Sequence, residues 1–248
     1  MTYTLALCLD APMQSWGLRS RFQSRDTAQE PTKSGVLGLL AAALGIPRDC
    51  DAQVRELAQA KMGVRVDREG LVERDYQTAS NVPSAEDGVG KTVVSHRYYL
   101  ADAVFLVVLE HPDRDELVRW HAALSRPHWP IYLGRKAFVP ARPVVAPEPS
   151  STYLGVAQLT TEDRLDSHGW LENRPDLRER GKKTIRDGHE HPLRILVDTT
   201  PGDERAEPRR DVPMSFHPRQ RLFATRSVRT GHVPLDDSLI NAGAPSCI

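Results

Sequence analysis

The apolar run Ala103–Leu109 constrains the fold more than any other segment of this chain. A half-exposed strand alternates apolar and polar residues, whereas a strand buried on both faces has a continuous apolar run. Asp113 and Glu116 follow with the spacing of a capping box, which predicts that a helix begins there. The inner face of this helix would carry Leu117, Val118, His121 and Leu124. The segment therefore predicts a buried central strand followed by a helix.

Two further strands and a helix precede that unit. Tyr3–Leu9 alternates with the period of a strand, and Met62–Val66 reads as a second strand. Between them, apolar residues recur at helical spacing after Thr32 or Ser34, either of which can cap a helix, and stop at Gly45. The long segment between the first strand and this helix has no periodicity and is predicted to be a loop.

The remaining elements suggest how the chain is organised. Leu71–Tyr99 reads as two polar arms around a loop, which predicts a protruding hairpin, and Ile131–Val139 as one more extended piece. This order is that of a ferredoxin-like βαββαβ unit in an α+β protein. We place that unit in residues 1–150, a smaller β-rich C-terminal part with a polar loop at 160–190 in residues 151–231, and a tail in residues 232–248. The C-terminal part has candidate strands at Leu193–Val197 and Leu222–Val228.

The composition describes a soluble protein with a hydrophobic core. Of 248 residues, 40% are hydrophobic, and 33 Lys and Arg balance 33 Asp and Glu. No apolar run approaches the ~18 residues of a membrane span, and no signal stretch opens the sequence, so we expect a cytoplasmic protein without membrane contact. Cys8, Cys50 and Cys247 are far apart and odd in number, which predicts reduced thiols. Zero net charge does not exclude a local basic groove, because binding follows the local potential.

The first candidate site joins the long loop to the start of the first helix. Backbone N–H groups at a helix start, aided by hydroxyls and a lysine, can bind an anion, and arginines can pair with further phosphates. An aromatic such as Trp16 could stack on a base. The candidate RNA-binding residues here are Met13, Gln14, Trp16, Arg21, Arg25, Thr32, Lys33, Ser34 and Gly35. An ordinary capped helix behind a solvated basic loop gives the same pattern.

Two other segments combine cations with aromatics. Arg97 sits among histidine and tyrosines at the start of a strand, where it could grip RNA by phosphate pairing. Tyr132, Gly134, Arg135 and Lys136 place a glycine beside two cations and an aromatic, which allows close approach to a phosphate. A surface turn or an edge strand with packed aromatics would look similar. Arginines also outnumber acids between residues 205 and 231.

Metal, cofactor and nucleotide chemistry have little support. His189 and His191 lack a third ligand at fixed spacing, and no zinc-protease motif is present. Gly88 and Gly90 precede Lys91, but the first glycine that a phosphate-binding loop needs is absent. The sequence therefore predicts no metal and no cofactor.

Several ordered motifs resemble one family. They are Leu9–Gly17, Pro31–Leu40, Arg74–Tyr76, Arg97–Asp102 and Tyr132–Lys136. Together they are similar to the type I-E members of the fifth Cas family, which are RAMP proteins of the CRISPR surveillance complex called Cascade. The resemblance covers most of residues 1–140 and resumes loosely at 191–197 and 213–231.

This resemblance implies both a fold and a role. The fold would be an RRM-like (RAMP) palm with a β-hairpin thumb at about residues 78–96. The role would be to hold the 5′ handle of the crRNA and to cap the complex beside its backbone RAMP subunits and its large PAM-reading subunit, with target DNA contacted only through the complex. A separate nuclease cuts the repeat in this subtype, so the implied function is binding without catalysis.

Two alternatives remain at this point. In another subtype, relatives cut the repeat themselves with tyrosine, lysine and histidine. His96 and Tyr98 could do so here as a metal-independent endoribonuclease, with His96 as acid or base. The third reading is a scaffold that touches only protein, with its arginines on a solvated face.

Overall fold

The computed structural model describes residues 1–18, 24–83, 88 and 90–242 of the chain. The strands are β1 (Tyr3–Asp10), β2 (Met13–Gln14), β3 (Ser24–Arg25), β4 (Lys61–Arg68), β5 (Leu71–Pro83), β6 (Gly90–Ala101), β7 (Val104–His111), β8 (Val156–Ala157), β9 (Pro192–Thr199), β10 (Ala206–Ser215) and β11 (Leu222–Pro234). The helices are α1 (Lys33–Leu44), α2 (Asp51–Leu57), α3 (Arg114–Ser125), α4 (Thr161–Ser167), α5 (Pro175–Arg186) and α6 (Asp237–Asn241). Within these residues, no helix has the length and apolar character needed to cross a membrane.

The protein is a mixed α+β structure built on a large antiparallel sheet. Across the described residues, seven strands lie in the order β10-β11-β9-β4-β7-β1-β8. Leu5 and Leu7 of β1 pack with Leu37 of α1 and Leu117 of α3 on one face. On the other face, the neighbouring residues of β1 and β7 pack with Leu165 of α4. The prediction of a central strand buried on both faces is thus confirmed.

The local start and stop signals of the helices are also confirmed. Thr32 caps α1 by accepting a hydrogen bond from the Gly35 N–H, and Gly45 ends it with a φ of 72°, a conformation that glycine adopts without strain. Asp113 caps α3 by accepting from the N–H groups of Asp115 and Glu116. These signals act over a few residues, so the sequence displays them directly.

Other local predictions need correction. Ile131–Val139 is not a strand: it folds back on itself, with the Leu133 N–H donating to the Phe138 carbonyl at 2.7 Å, and β8 pairs with β1 in its place. The stretch 160–190, predicted to be a polar loop, contains α4 and α5. Residues 232–242, predicted to begin a tail, include the end of β11 and all of α6. The helix α2 and the strand β10 were not predicted, and the predicted N-terminal loop contains the short strands β2 and β3.

The C-terminal strands continue the N-terminal sheet. β9 pairs directly with β4, for example Val64 with Leu196, and β10 and β11 follow it. Across these three strands, the Arg226 guanidinium of β11 pairs with the carboxylates of Asp211 in β10 and Asp198 in β9. The strands β9 to β11 are therefore tied both to β4 and, through these carboxylates, to the start of α1.

A second, smaller sheet surrounds β6. β5 pairs with β6 antiparallel over most of its length and forms the predicted hairpin, which begins at Leu71 and so is longer than the predicted thumb. On the other edge of β6, β2 pairs antiparallel and β3 pairs parallel, with Arg25 opposite Arg97. The long N-terminal loop is thereby attached to the base of the hairpin, and two arginines distant in sequence become neighbours.

Candidate nucleic-acid interface

A groove of about 760 Å³ follows one face of α1. We call it the α1 groove. Small residues on α1 line it, namely Gly35, Gly38, Ala41 and Ala42, so the groove comes close to the helix backbone. Its other lining residues are Ser15, Trp16, Gly17, Arg25, Asp26, Thr32, Ser34, Leu39, Ile46, Arg48, Arg97, Trp129, Pro130, Tyr132, Gly134, Arg135, Phe216, Arg221 and Phe223.

Three arginines from separate segments of the chain meet in the groove. We call Arg25, Arg97 and Arg135 the arginine cluster. Arg135 donates a hydrogen bond of 2.6 Å to the Tyr98 carbonyl, and the Arg97 Nε donates to the Ser95 hydroxyl at 3.1 Å. The pKa of Arg135 lies below its usual range because burial disfavours the charged form and because Arg97 and Arg25 repel it. An arginine stays charged at physiological pH, so this part of the groove suits an anion such as phosphate.

The start of α1 contributes less free donor capacity than the sequence suggested. Thr32, Ser34 and Gly35 do line the groove. However, the Gly35 N–H already donates to the Thr32 hydroxyl at 3.2 Å, and the Lys33 N–H donates to the Asp211 carboxylate at 2.7 Å. Donors that are satisfied within the chain are not free for an anion. The positive charge in the groove therefore comes chiefly from arginine side chains.

Lys33 does not face the groove, contrary to the prediction. Its ammonium group donates to Asp198 at 2.9 Å, and its side chain is 6% exposed. A buried lysine needs such a partner, because an unpaired buried charge is costly. Lys33 is thus held in the interior, where it links α1 to β9, and we remove it from the candidate RNA contacts.

Gln14 and Trp16 are also buried rather than available to RNA. The Gln14 amide donates to the carbonyls of Leu9 and Ala103 at 3.2 and 2.8 Å, and it accepts from the Trp16 Nε1 at 3.3 Å. Trp16 is 1% exposed, and its ring lies so close to Gly35 that a Cβ there would be 2.8 Å away. Trp16 supports the floor of the groove and cannot stack on a base.

The residues of the 132–136 segment have different roles: some line the groove, and others do not. Gly134 has a φ of 99°, and a Cβ at this position would lie 2.0 Å from the Ser15 carbonyl oxygen. The close approach that the glycine permits is therefore to the chain itself, not to a phosphate. Tyr132 lines the groove half-buried. Lys136 is exposed but is not among the groove residues, and the same holds for Met13.

Three predicted residues remain, one that cannot be placed and two that lie on β6. Arg21 lies outside the described residues. His96 and Tyr98 alternate with Arg97 along β6, so they point to the opposite face of the strand. The His96 ring meets Tyr76 edge-on at 5.6 Å, and no histidine is among the described residues that line the groove. The pair proposed for RNA cleavage is thus separated from the arginine cluster.

Sequence reasoning missed several other residues that line the groove. Arg48 follows α1, Trp129 follows α3, and Phe216, Arg221 and Phe223 come from the β10–β11 hairpin. The excess of arginine between residues 205 and 231 was the available signal for that hairpin. Within the described residues, no group of three or more His, Cys, Asp or Glu could hold a metal ion.

The chain is similar to proteins of a known family. Residues 4–229 match the family model described as CRISPR-associated protein (Cas_Cas5). A curated relative, the CRISPR system Cascade subunit CasD of Escherichia coli (strain K12), is 34% identical over 146 residues, or 54% of this chain. That match spans 65% of the relative, slightly less than two thirds of its length.

Two solved structures are similar over almost the whole chain. A chain of a CRISPR RNA-guided surveillance complex superposes with a TM-score of 0.74 at 30% identity, covering 96% of this chain and 92% of that one. A crystal structure of a Cas protein superposes with a TM-score of 0.67 at 35% identity, covering 93% and 95%. Because the family model spans nearly the entire chain, the protein belongs to the Cas5 family of CRISPR-associated proteins.

Proposed function

We propose that this chain is an RNA-binding subunit of a CRISPR Cascade complex and that the α1 groove holds the 5′ handle of the crRNA. The observation that carries the proposal is the convergence of Arg25, Arg97 and Arg135 beside the groove. Guanidinium groups pair with phosphate through parallel N–H donors, and single-stranded RNA presents one phosphate per nucleotide. Aromatics on the same groove offer faces on which unpaired bases stack.

The assembly part of the proposal comes from the relatives. The curated relative is named as a Cascade subunit, and one similar structure is a chain of an RNA-guided surveillance complex. We infer that this chain has the same kind of partners: crRNA, the backbone RAMP subunits and the large PAM-reading subunit, in the cytoplasm. A net charge of zero suits a subunit that meets protein neighbours on several sides and RNA along one groove.

The fold proposal is a ferredoxin-like RAMP palm with a hairpin thumb. In support of it, β1, β4, β7 and β8 occur in the chain order βαββαβ with α1 and α3, and they lie in the spatial order β8-β1-β7-β4. This is the 4-1-3-2 arrangement of a split βαβ unit. The β5–β6 hairpin inserted between β4 and β7 would then be the thumb.

We further propose that the subunit binds RNA without cleaving it. General acid–base cleavage needs a titratable group within hydrogen-bond reach of the reacting oxygen. The described groove residues include no histidine or lysine; apart from arginine, their titratable side chains are Asp26, which accepts a hydrogen bond from the Leu18 N–H at 3.4 Å, and Tyr132. His96 and Tyr98 face away from Arg97. The groove can therefore hold phosphates more readily than it can transfer protons.

The test uses labelled repeat RNA, with the handle either intact or scrambled, in buffer containing EDTA. Native and denaturing gels are run side by side for the wild-type chain, Arg97→Ala and Arg119→Ala. Arg119 is a matched control because it lies on α3, paired with Glu116 and away from the groove. We expect intact RNA that is shifted by the wild type and by Arg119→Ala, and shifted less by Arg97→Ala. Cleavage at one site that is lost in His96→Ala would show the endoribonuclease instead.

A further inference from the structure

We propose that Trp129 is the platform on which one unpaired base of the bound RNA stacks, at the end of the α1 groove opposite the arginine cluster. This inference rests on the proposed function, since it requires RNA in the groove. The cluster is linked to the first turn of α1, because Gly134, next to Arg135, lies against Ser15, and the neighbouring Trp16 ring lies against Gly35. Trp129 is instead attached to the last turn of α1. A helix of 12 residues is about 18 Å long, so the two ends contact different nucleotides.

The backbone around Trp129 is fixed to the end of α1. The Trp129 N–H donates to the Ala42 carbonyl at 3.2 Å, and the His128 N–H donates to the Ala43 carbonyl at 2.9 Å. These carbonyls belong to the last turn, where helices lack internal donors. The His128 ring meets the indole edge-on, with centroids 5.0 Å apart and planes at 72°. The indole is therefore held in place before any ligand arrives, which lowers the entropy lost on binding.

The exposure of Trp129 distinguishes it from the other tryptophans of the chain. Its side chain is 42% exposed, whereas Trp16, Trp120 and Trp170 are 1 to 3% exposed. A single exposed apolar residue is ordinary on a protein surface, so exposure alone decides nothing. Its position is the deciding observation, because the indole lines the groove, as does the apolar side chain of Ile46.

Two further cations line the same groove, and one of them, Arg48, follows the end of α1 in sequence. Arg48 and Arg221 line it, and both side chains are exposed. An aromatic face with adjacent cations is the arrangement that holds single-stranded nucleic acid, with a base on the ring and phosphates on the cations. Because every base has a π-face, this contact contributes affinity without selecting one base.

The test combines an RNA-binding assay with tryptophan fluorescence. The wild-type chain is titrated with a labelled RNA carrying the handle, and binding is followed by the label and, separately, by quenching of the protein. We expect binding to quench the exposed indole, because a stacked base contacts it, while the three buried indoles are shielded. Trp129→Ala is expected to lose affinity by about 5-fold to about 150-fold, the range for one stacked base. Trp129→Phe should restore most of the affinity but show no quenching.

The outcomes separate this inference from the proposed function. Wild-type binding that is neither quenched nor weakened by Trp129→Ala would overturn the stacking platform and leave the RNA-binding role standing. Absence of RNA binding by the wild-type chain would overturn both. An RNA with abasic positions gives the remaining check: replacing the stacked base must weaken binding to the wild type and leave binding to Trp129→Ala unchanged.

Discussion

The guanidinium of Arg135 donates a 2.6 Å hydrogen bond to the carbonyl of Tyr98, across 37 residues of sequence. This bond attaches the loop after α3 to the hairpin strand β6. It also sets Arg135 beside Arg97, whose side chain projects from the opposite face of β6 to that of Tyr98. The positive end of the groove is thus assembled by tertiary contacts between the hairpin, the N-terminal loop and the 132–136 segment.

The arginine cluster should determine the salt dependence of RNA binding. Each phosphate contact on a single strand contributes about 0.7 to the slope of log K against log salt concentration. Arg25→Ala and Arg97→Ala should each reduce that slope by about this amount and weaken binding at low salt. The measurement is a series of RNA titrations between low and moderate salt. Arg119→Ala should retain the wild-type slope, and equal slopes in all variants would remove Arg25 and Arg97 from the interface.

Lys33 should affect stability and not the salt slope. Lys33→Met keeps the apolar stem but removes the charge that faces Asp198. Breaking a buried ion pair typically costs about 3–5 kcal/mol, and we expect the lower end because Asp198 keeps Arg226 and the Met62 N–H as partners. Urea unfolding measures this loss. If Lys33→Met instead lowered the RNA salt slope with stability unchanged, the ammonium would have to reach the groove.

Gln14 should contribute to stability, because it supports the residues under the groove, and should not contact RNA. Gln14→Leu has a similar size but loses the buried hydrogen bonds that Gln14 donates to the carbonyls of Leu9 and Ala103 and the one that it accepts from the Trp16 Nε1. We expect a loss of about 1–3 kcal/mol in the free energy of unfolding. The RNA salt slope should not change, since no phosphate contact is removed. A reduced slope with normal stability would indicate that the amide touches RNA after all.

The features that the sequence predicted correctly are those with local signals. The α1 helix has a capping threonine three residues before the donor that it satisfies, and a glycine at its end. The run Ala103–Leu109 shows its double burial by composition alone. In both cases, the information lies within one element, so no knowledge of the neighbours is needed.

The features that were missed depend on burial and on long-range pairing. Trp16 and Gln14 have side chains suited to RNA contact, and only the fold shows that they face inward. The first part of the polar segment 160–190 is held by the fully buried Arg65, whose guanidinium donates to the carbonyls of Leu165 and Gly169. A lone arginine in a strand, about 100 residues away, gives no sign of that role. Similarly, the proximity of Arg25 and Arg97 follows from the pairing of β3 with β6, two strands far apart in sequence.

The buried His168 should make the folded state less stable in mild acid. Burial, reinforced by the nearby Arg65 guanidinium, lowers the pKa of His168 to about 4. In the unfolded chain, a histidine takes up its proton near pH 6.5. Between these values the unfolded state binds more protons than the folded state, so stability rises with pH across this window and is lost as pH falls from 6.5 towards 4.

Urea unfolding at pH 7.5 and pH 5.0 measures this effect. Burial also lowers the pKa of His121, so two histidines make the folded state less stable in acid. The contribution of His168 is therefore measured by comparing the wild type with a His168 variant. From the 1.5 pH units between 6.5 and 5.0, we expect His168 to account for about 2 kcal/mol of the loss in the wild type. His168→Gln should lose correspondingly less between the two pH values, even if it is less stable at both. The exposed His189 gives the control: His189→Gln should keep the wild-type pH dependence, and an equal dependence in His168→Gln would contradict the assignment.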